Sequence, residues 1–225
     1  MLLCNRATCV LINTMDKNFW NERYGNAEYA YGEAPNSYFR EKLKDLSPGS
    51  ILMPADGEGR NGVHAARHQW KVLSFDLSDK GRDKAFRLAH GYGVTLDYMV
   101  GDCLELSLPE NHFDCIGLIY AHFPASIKSA CHQKLNRSLK PGGHVIFEAY
   151  SKNHLSYQAR FPRIGGPKDI DQLFDLDEVR QDFSGFEFQE LAECEVALEE
   201  GAFHQGLGSV IRFVARKPDT PVGHQ

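Results

Sequence analysis

The chain has 225 residues, 42% of them apolar and 24% charged, enough for one domain with a core of its own. A net charge of −5, from 25 Lys and Arg against 30 Asp and Glu, excludes the broad basic footprint of a protein that coats nucleic acid. No apolar run approaches the roughly 20 residues that span a bilayer.

Residues 1–18 read as a loose N-terminal extension. Their apolar patch is short and no small-residue cleavage pattern follows it, so they do not read as a signal peptide. Met15 would serve equally as an internal start. Organised sequence begins at Phe19, and residues 19–217 read as a single domain with a tail at 218–225. Residues 19–46 form a cap that carries Trp20, Tyr24, Tyr29, Tyr31 and Tyr38. These aromatics either form a lid or bury a cap helix on the core.

The turn Ser47-Pro48-Gly49 precedes a buried strand over 50–53, which runs into the loop Pro54-Ala55-Asp56-Gly57-Glu58-Gly59. A helix is expected over 61–69, a second strand over 71–76 and a helix over 79–90 that ends at Gly91 and Gly93. Strands follow over 95–100 and 113–120. The second of these is almost continuously apolar, as a strand buried on both faces should be. A helix over 124–139 and the turn 141–143 lead to a fifth strand over 144–150. This alternation predicts an α/β fold around a parallel sheet. Residues 151–171 read as a long irregular lid, with Arg160 and Arg163 either gating a site or lying in solvent. A helix over 175–183 and antiparallel strands over 186–198 and 208–216 complete the chain.

Three features carry chemistry. Gly57 and Gly59 lie between a strand and a helix, at the carboxyl edge of the sheet where α/β proteins bind ligands. Asp76 ends the second strand, 19 residues beyond Gly57. A carboxylate about 20 residues past a glycine loop suits a ribose diol, though Asp76 or Ser78 would also cap the next helix. Asp102, beside Cys103 after the third strand, sits at the same edge. It would accept from an adenine amino group or simply face solvent.

These residues resemble those of class I S-adenosylmethionine-dependent methyltransferases, and within them the tellurite-resistance (TehB-like) and thiopurine methyltransferase-like branch. The resemblance rests on Gly57-Glu58-Gly59-Arg60-Asn61, Phe75-Asp76-Leu77-Ser78, Gly101-Asp102, Phe113-Asp114 and Leu139-Lys140-Pro141-Gly142-Gly143, with Phe19 to Tyr24 and Tyr31-Gly32-x-x-Pro35-Asn36 in the cap. It covers residues 19–150 well. It departs at Met53, where the family usually has an acid, and at Ala55, where it has glycine.

The resemblance implies a Rossmann-like, seven-stranded, mostly parallel sheet with an antiparallel last strand and helices on both faces. It implies S-adenosylmethionine as cofactor, held by Asp56, Gly57, Glu58, Gly59, Asn61, Asp76, Leu77, Ser78, Asp102, Cys103 and Tyr120. Tyr31, Arg60 and His122 are the candidates for the acceptor side. Arg60 would attract an anion or lie in solvent. His122 would act as a base or be a structural histidine.

Methyl transfer from a sulfonium needs positioning more than acid–base chemistry. The expected partner is therefore a small acceptor, a soft nucleophile such as a thiol, a thiopurine or a metalloid oxyanion. Neither nucleic acid nor a membrane is expected, and no metal. Six scattered cysteines without a CxxC pair fit reduced thiols and a cytoplasmic location. Two rivals stand beside this reading. One is a non-catalytic protein that binds the cofactor. The other is a short-chain dehydrogenase, for which the only Tyr-x-x-x-Lys pair, Tyr38 and Lys42, falls before the glycine loop.

Overall fold

A computed structural model describes residues 15–161 and 163–219. Most of the predicted extension, residues 1–14, and the tail 220–225 lie outside the described residues. The N-terminal cap holds α1 (Lys17–Tyr24) and α2 (Ser37–Leu43). Asp16 caps α1 by accepting from the Phe19 N–H at 3.0 Å, so the first helix starts a little before the Phe19 boundary expected.

Five β-strands and their helices follow: β1 (Ser50–Pro54), α3 (Arg60–Arg67), β2 (Lys71–Asp76), α4 (Asp79–Gly91), β3 (Asp97–Val100), β4 (Phe113–Ile119), α5 (Lys128–Ser138) and β5 (Leu139–Tyr150). The C-terminal part adds α6 (His154–Gln158), α7 (Leu176–Asp182), β6 (Glu187–Glu200) and β7 (His204–Arg216). The seven strands form one sheet in the order β3-β2-β1-β4-β5-β7-β6. Strands β1 to β5 pair parallel, and β7 runs antiparallel to both β5 and β6. The expected architecture is therefore present, with β7 in the interior of the sheet and β6 at its edge.

Period-two alternation divides the core between the two faces. Leu52 of β1 joins Phe75, Ile116, Leu118, Phe147 and Phe213 on the side covered by α5 and α7. Its neighbours Ile51 and Met53 join Phe39, Val63, Ala65 and Trp70 on the side covered by α2 and α3. Because β1 pairs with β2 on one side and β4 on the other, the strand order reverses there. The crevice at the carboxyl ends of these strands is where such sheets bind ligands.

The structure departs from the sequence expectations in three places. Pro124 to Ile127 form a turn instead of the first turn of α5, and β5 begins at Leu139, five residues before the expected strand. The segment 151–171 is not wholly irregular. It contains α6, and Ile164 beside it is buried with Tyr150, Leu173, Val196, Leu198 and Val210 in a third apolar cluster. The terminal strands are also longer than read, and only residues 201–203 connect them. Gly201, at φ +59, lets this tip sit against the cap. A Cβ there would lie 2.5 Å from the Ala30 carbonyl oxygen, and Ala202 N–H donates to that same oxygen at 3.0 Å.

Candidate active site

At the carboxyl edge of β1, β2 and β4 lies a cavity of about 450 Å³. It is walled by the loop from Ala55 to Asn61, the segments at the ends of β2, β3 and β4, the cap, the tip of the β6–β7 hairpin, and Arg163, Gly165, Gly166 and Pro167 from the segment expected as a lid. Of the expected cofactor residues, Asp56, Gly57, Glu58, Asn61, Asp76, Leu77, Asp102, Cys103 and Tyr120 line it, and so do Tyr31, Arg60 and His122. Gly59 and Ser78 do not.

Gly57, at φ +54, holds the loop close to the cap. A Cβ there would sit 2.6 Å from the Tyr24 hydroxyl. Its N–H donates to Asp76 Oδ2 at 3.1 Å, and its carbonyl accepts from the Tyr98 hydroxyl at 2.6 Å. Gly59, at φ +83, serves packing, since a Cβ would lie 2.4 Å from that of Ala85 on α4. Ala55 holds a left-handed φ of 51 where the resembling family has glycine. A Cβ in that conformation costs about 1–2 kcal/mol. Ala55→Gly should therefore stabilise the protein by about 1 kcal/mol, raising Tm by about 2–4 °C for a chain this long. Differential scanning calorimetry reads this directly, and a lower Tm would refute the strain at Ala55.

Asp76 is buried, and both its oxygens are partly used: Oδ2 by Gly57 N–H and Oδ1 by Ser78 N–H at 2.9 Å. Burial pushes its carboxyl up to about 6, against the opposing hydrogen bonds from backbone N–H groups. Ser78, not Asp76, caps α4 by accepting from Gly81 N–H at 3.0 Å. The Ser78 hydroxyl then donates to Asn21 Oδ1 at 2.6 Å, which ties the cap to α4. This corrects the expectation that the Ser78 side chain meets a ligand.

Two more loop residues, which do line the cavity, spend their carboxylates on partners within the protein. Asp56 turns toward α3, taking a hydrogen bond from the Ser74 hydroxyl at 2.7 Å and weaker ones from Gly62 N–H, and burial pushes it up to about 7. Glu58 is committed to Lys84 at 2.7 Å and to Ala30 N–H at 2.8 Å. Asn61 Oδ1 accepts from the Asn36 N–H at 2.9 Å. These three side chains build the cradle and leave its backbone and Asp76 to face a ligand. Met53 packs against Phe39 and Gly117, away from the cavity lining. Asp102 accepts from Leu104 N–H at 2.8 Å and remains half-buried at the rim.

The acceptor-side candidates fare differently. Arg60 is not a free cation. It pairs with Glu200 at 2.9 Å and donates to the carbonyls of Tyr31 and Ala34. His122 is not a free base. Its Nδ1 meets the Gln172 carbonyl at 3.0 Å and its Nε2 accepts from Tyr150 N–H at 3.3 Å. Burial pushes it down to about 3, so it stays neutral and structural. The Tyr31 hydroxyl accepts from Arg23 at 3.3 Å at the cavity wall.

The structure adds Arg23, Glu200, Phe203 and His204, which the sequence reading did not single out. Arg23 lies 4.0 Å over the Phe203 ring and so links α1 to the hairpin tip.

Burial also lowers His64 and His154 to about 4. An imidazole whose folded pKa is depressed contributes stability above its unfolded value near 6.5, lost as pH falls toward the folded value. Asp56 and Asp76, with raised values, act in the opposite sense above about pH 4. His144 and His204 are lowered by burial as well, and Glu58 is raised, so five such histidines stand against three such acids. Tm should therefore fall as pH drops from about 6.5 to 4.5. A Tm that is flat or rises over that interval contradicts the neutral, buried state of these histidines.

With this geometry established, residues 51–143 match the family model described as a methyltransferase domain. The ubiquinone/menaquinone biosynthesis C-methyltransferase UbiE of Pseudomonas putida is 30% identical over 86 residues, 36% of this chain and 33% of that relative. The chain thus spans about a third of the length of that curated relative. A solved structure from work on conversion of a disulfide bond into a thioacetal group during echinomycin biosynthesis superposes with TM-score 0.73 at 19% identity, covering 92% of this chain and 93% of that one. TehB from Haemophilus influenzae gives TM-score 0.66 at 16% identity, covering 89% and 66%.

The fold is of the Rossmann-like methyltransferase class, and residues 51–143 match a methyltransferase domain. The cofactor this class implies is S-adenosylmethionine. The residues present fit it. Asp76 is a buried carboxylate without a hydrogen-bonded cation among the described residues, and each of its oxygens keeps acceptor capacity beyond one backbone N–H. Among the described residues no group of three or more His, Cys, Asp or Glu is arranged to hold a metal, and no helix is long and apolar enough to cross a membrane.

Proposed function

We propose that this protein is an S-adenosylmethionine-dependent methyltransferase acting on a small molecule, a soft nucleophile such as a thiol, a thiopurine or a metalloid oxyanion. The observation that carries the reading is the walled cavity at the reversal of strand order, lined by Asp76 and by Tyr31, Tyr120, Tyr150 and Phe203. When bound, the cofactor supplies an electrophilic methyl group on a sulfonium sulfur. Asp76 would accept from its ribose hydroxyls, Asp102 and Cys103 at the rim would meet its base, and Arg23 would be the cation for its carboxylate. Trp20 and Tyr24, stacked at 5.5 Å in the cavity wall, would cover the ribose and exclude water. Tyr31 and Tyr120 present aromatic faces suited to a sulfonium.

A cavity of about 450 Å³ favours a small acceptor over a polymer. A cytoplasmic location is supported by the free thiols of Cys103, Cys115, Cys131 and Cys194. A quinone-type ring carbon is the second reading for the acceptor, supported by the name of the Pseudomonas putida relative and by the aromatic wall.

The test is a screen for S-adenosylhomocysteine release from S-adenosylmethionine with thiols, thiopurines, tellurite, selenite and hydroquinones. Release with a thiol or a metalloid is the expected result, and release with hydroquinones alone, with the methyl group found on a ring carbon of the product, moves the acceptor to carbon. Firm cofactor binding with no transfer to any of them would make the chain a cofactor-binding protein without this activity.

A further inference from the structure

His204 is the first residue of β7, set into the cavity by the three-residue turn at the hairpin tip. Its Nδ1 lies 2.9 Å from Glu200 Oε2. A carboxylate only accepts, so Nδ1 carries the proton and Nε2 presents a lone pair. Among the described residues Nε2 has no hydrogen-bond partner, and the ring lines the cavity beside Tyr31 at 4.5 Å and Tyr120 at 4.7 Å between centroids. Glu200 is itself fixed, by Arg60 at 2.9 Å and by the Asn36 amide at 3.1 Å. His122 spends both ring nitrogens on backbone groups, and His154 gives Nε2 to the Gly165 carbonyl. Of these three histidines, His204 alone combines an orienting carboxylate with an open acceptor nitrogen.

We propose that His204, oriented by Glu200, accepts the proton of the methyl acceptor, so that the site takes aromatic X–H acids, phenols or aryl thiols. The proposal rests on the methyltransferase reading. In the step it assigns, the X–H bond breaks, its electron pair stays on X and the proton forms an N–H bond at His204 Nε2. The imidazolium is held by Glu200 and returns its proton to water once the product has left. The aromatic wall supplies the ring recognition, and the Nε2 lone pair selects for a donor. A buried acceptor that loses its donor is left unsatisfied, which discriminates by about tenfold or more against an analogue without the X–H.

The experiment uses the full chain saturated with S-adenosylhomocysteine. Nitrogen NMR of the labelled imidazoles should show His204 as the Nδ1-protonated tautomer, with a pyridine-type Nε2 that shifts on addition of phenol or thiophenol. Calorimetry should show at least one of these two probes binding at least about tenfold more tightly than its methylated counterpart, anisole or thioanisole. Which of the pair binds tells oxygen from sulfur acids. His204→Asn keeps a donor toward Glu200 but removes Nε2, and it should abolish the preference. An Nε2-protonated tautomer in the wild type, equal binding of each X–H probe and its ether, or no binding of either probe overturns the proposal, whether or not the variant folds. Failure of S-adenosylhomocysteine to bind overturns the methyltransferase reading instead, while the tautomer still reports on His204.

Discussion

Replacing Asp76 by alanine is expected to weaken S-adenosylhomocysteine binding by at least about tenfold. A carboxylate that receives ribose hydroxyls makes charge-assisted hydrogen bonds of roughly 1.5–3 kcal/mol each, and the alanine variant loses them. The same carboxylate also satisfies the N–H groups of Gly57 and Ser78, at 3.1 and 2.9 Å. The variant therefore also loses stability, about 1–3 kcal/mol for each buried donor left without a partner. Calorimetric titration separates the two effects, because affinity is read on the folded protein below its new Tm. An unchanged dissociation constant with a lowered Tm would reduce Asp76 to a loop fastener.

Arg60→Met is expected to lower Tm by about 10 °C. The Arg60 and Glu200 side chains are only 8% and 15% exposed, so removing the cation strands a nearly buried carboxylate. Breaking such a pair by deleting one partner costs about 3–5 kcal/mol, and each kcal/mol is worth about 2–4 °C in a chain of this size. In the native protein burial, which would raise Glu200, is outweighed by the His204 hydrogen bond and by Arg60, and the carboxyl sits at about 2. Removing the charge as well, in Arg60→Met with Glu200→Gln, should recover most of the loss. A single variant as stable as the parent would show that the pair does not fasten the hairpin tip to the glycine loop.

The sheet was legible because its strands are short apolar runs between glycine and proline signals, and β4 in particular is buried on both faces. Asp76 was legible as well, because its distance from the glycine loop is set by one helix and one strand. What stayed hidden depends on contacts remote in sequence. His204 reaches the cavity, and Glu200 stands behind it, only because β6 and β7 continue past Leu198 and begin before Gly208, where Gly201, Gly206 and Gly208 signal a loop. His122 stands where a base would be useful, yet its partners are the backbone of Gln172 and Tyr150, which no side-chain pattern announces. Arg60, Glu58 and Asn61 carry a motif that reads as ligand-binding. Their partners, Glu200, Lys84 and the Asn36 N–H, show that much of that motif builds the cradle. Short α6 has neither the length nor a side-chain cap to be recognised, and the burial of Ile164 beside it is a tertiary effect.

The central claim is that this cavity holds S-adenosylmethionine through Asp76, and titration of the full chain with S-adenosylhomocysteine across pH tests it most directly. The account predicts saturable binding with one site per chain. Affinity should be constant above about pH 7 and weaken about tenfold per unit below about pH 6, as the Asp76 carboxylate takes up a proton and stops accepting from the ribose. No heat at high micromolar ligand, or an affinity that does not change through pH 6, would contradict it.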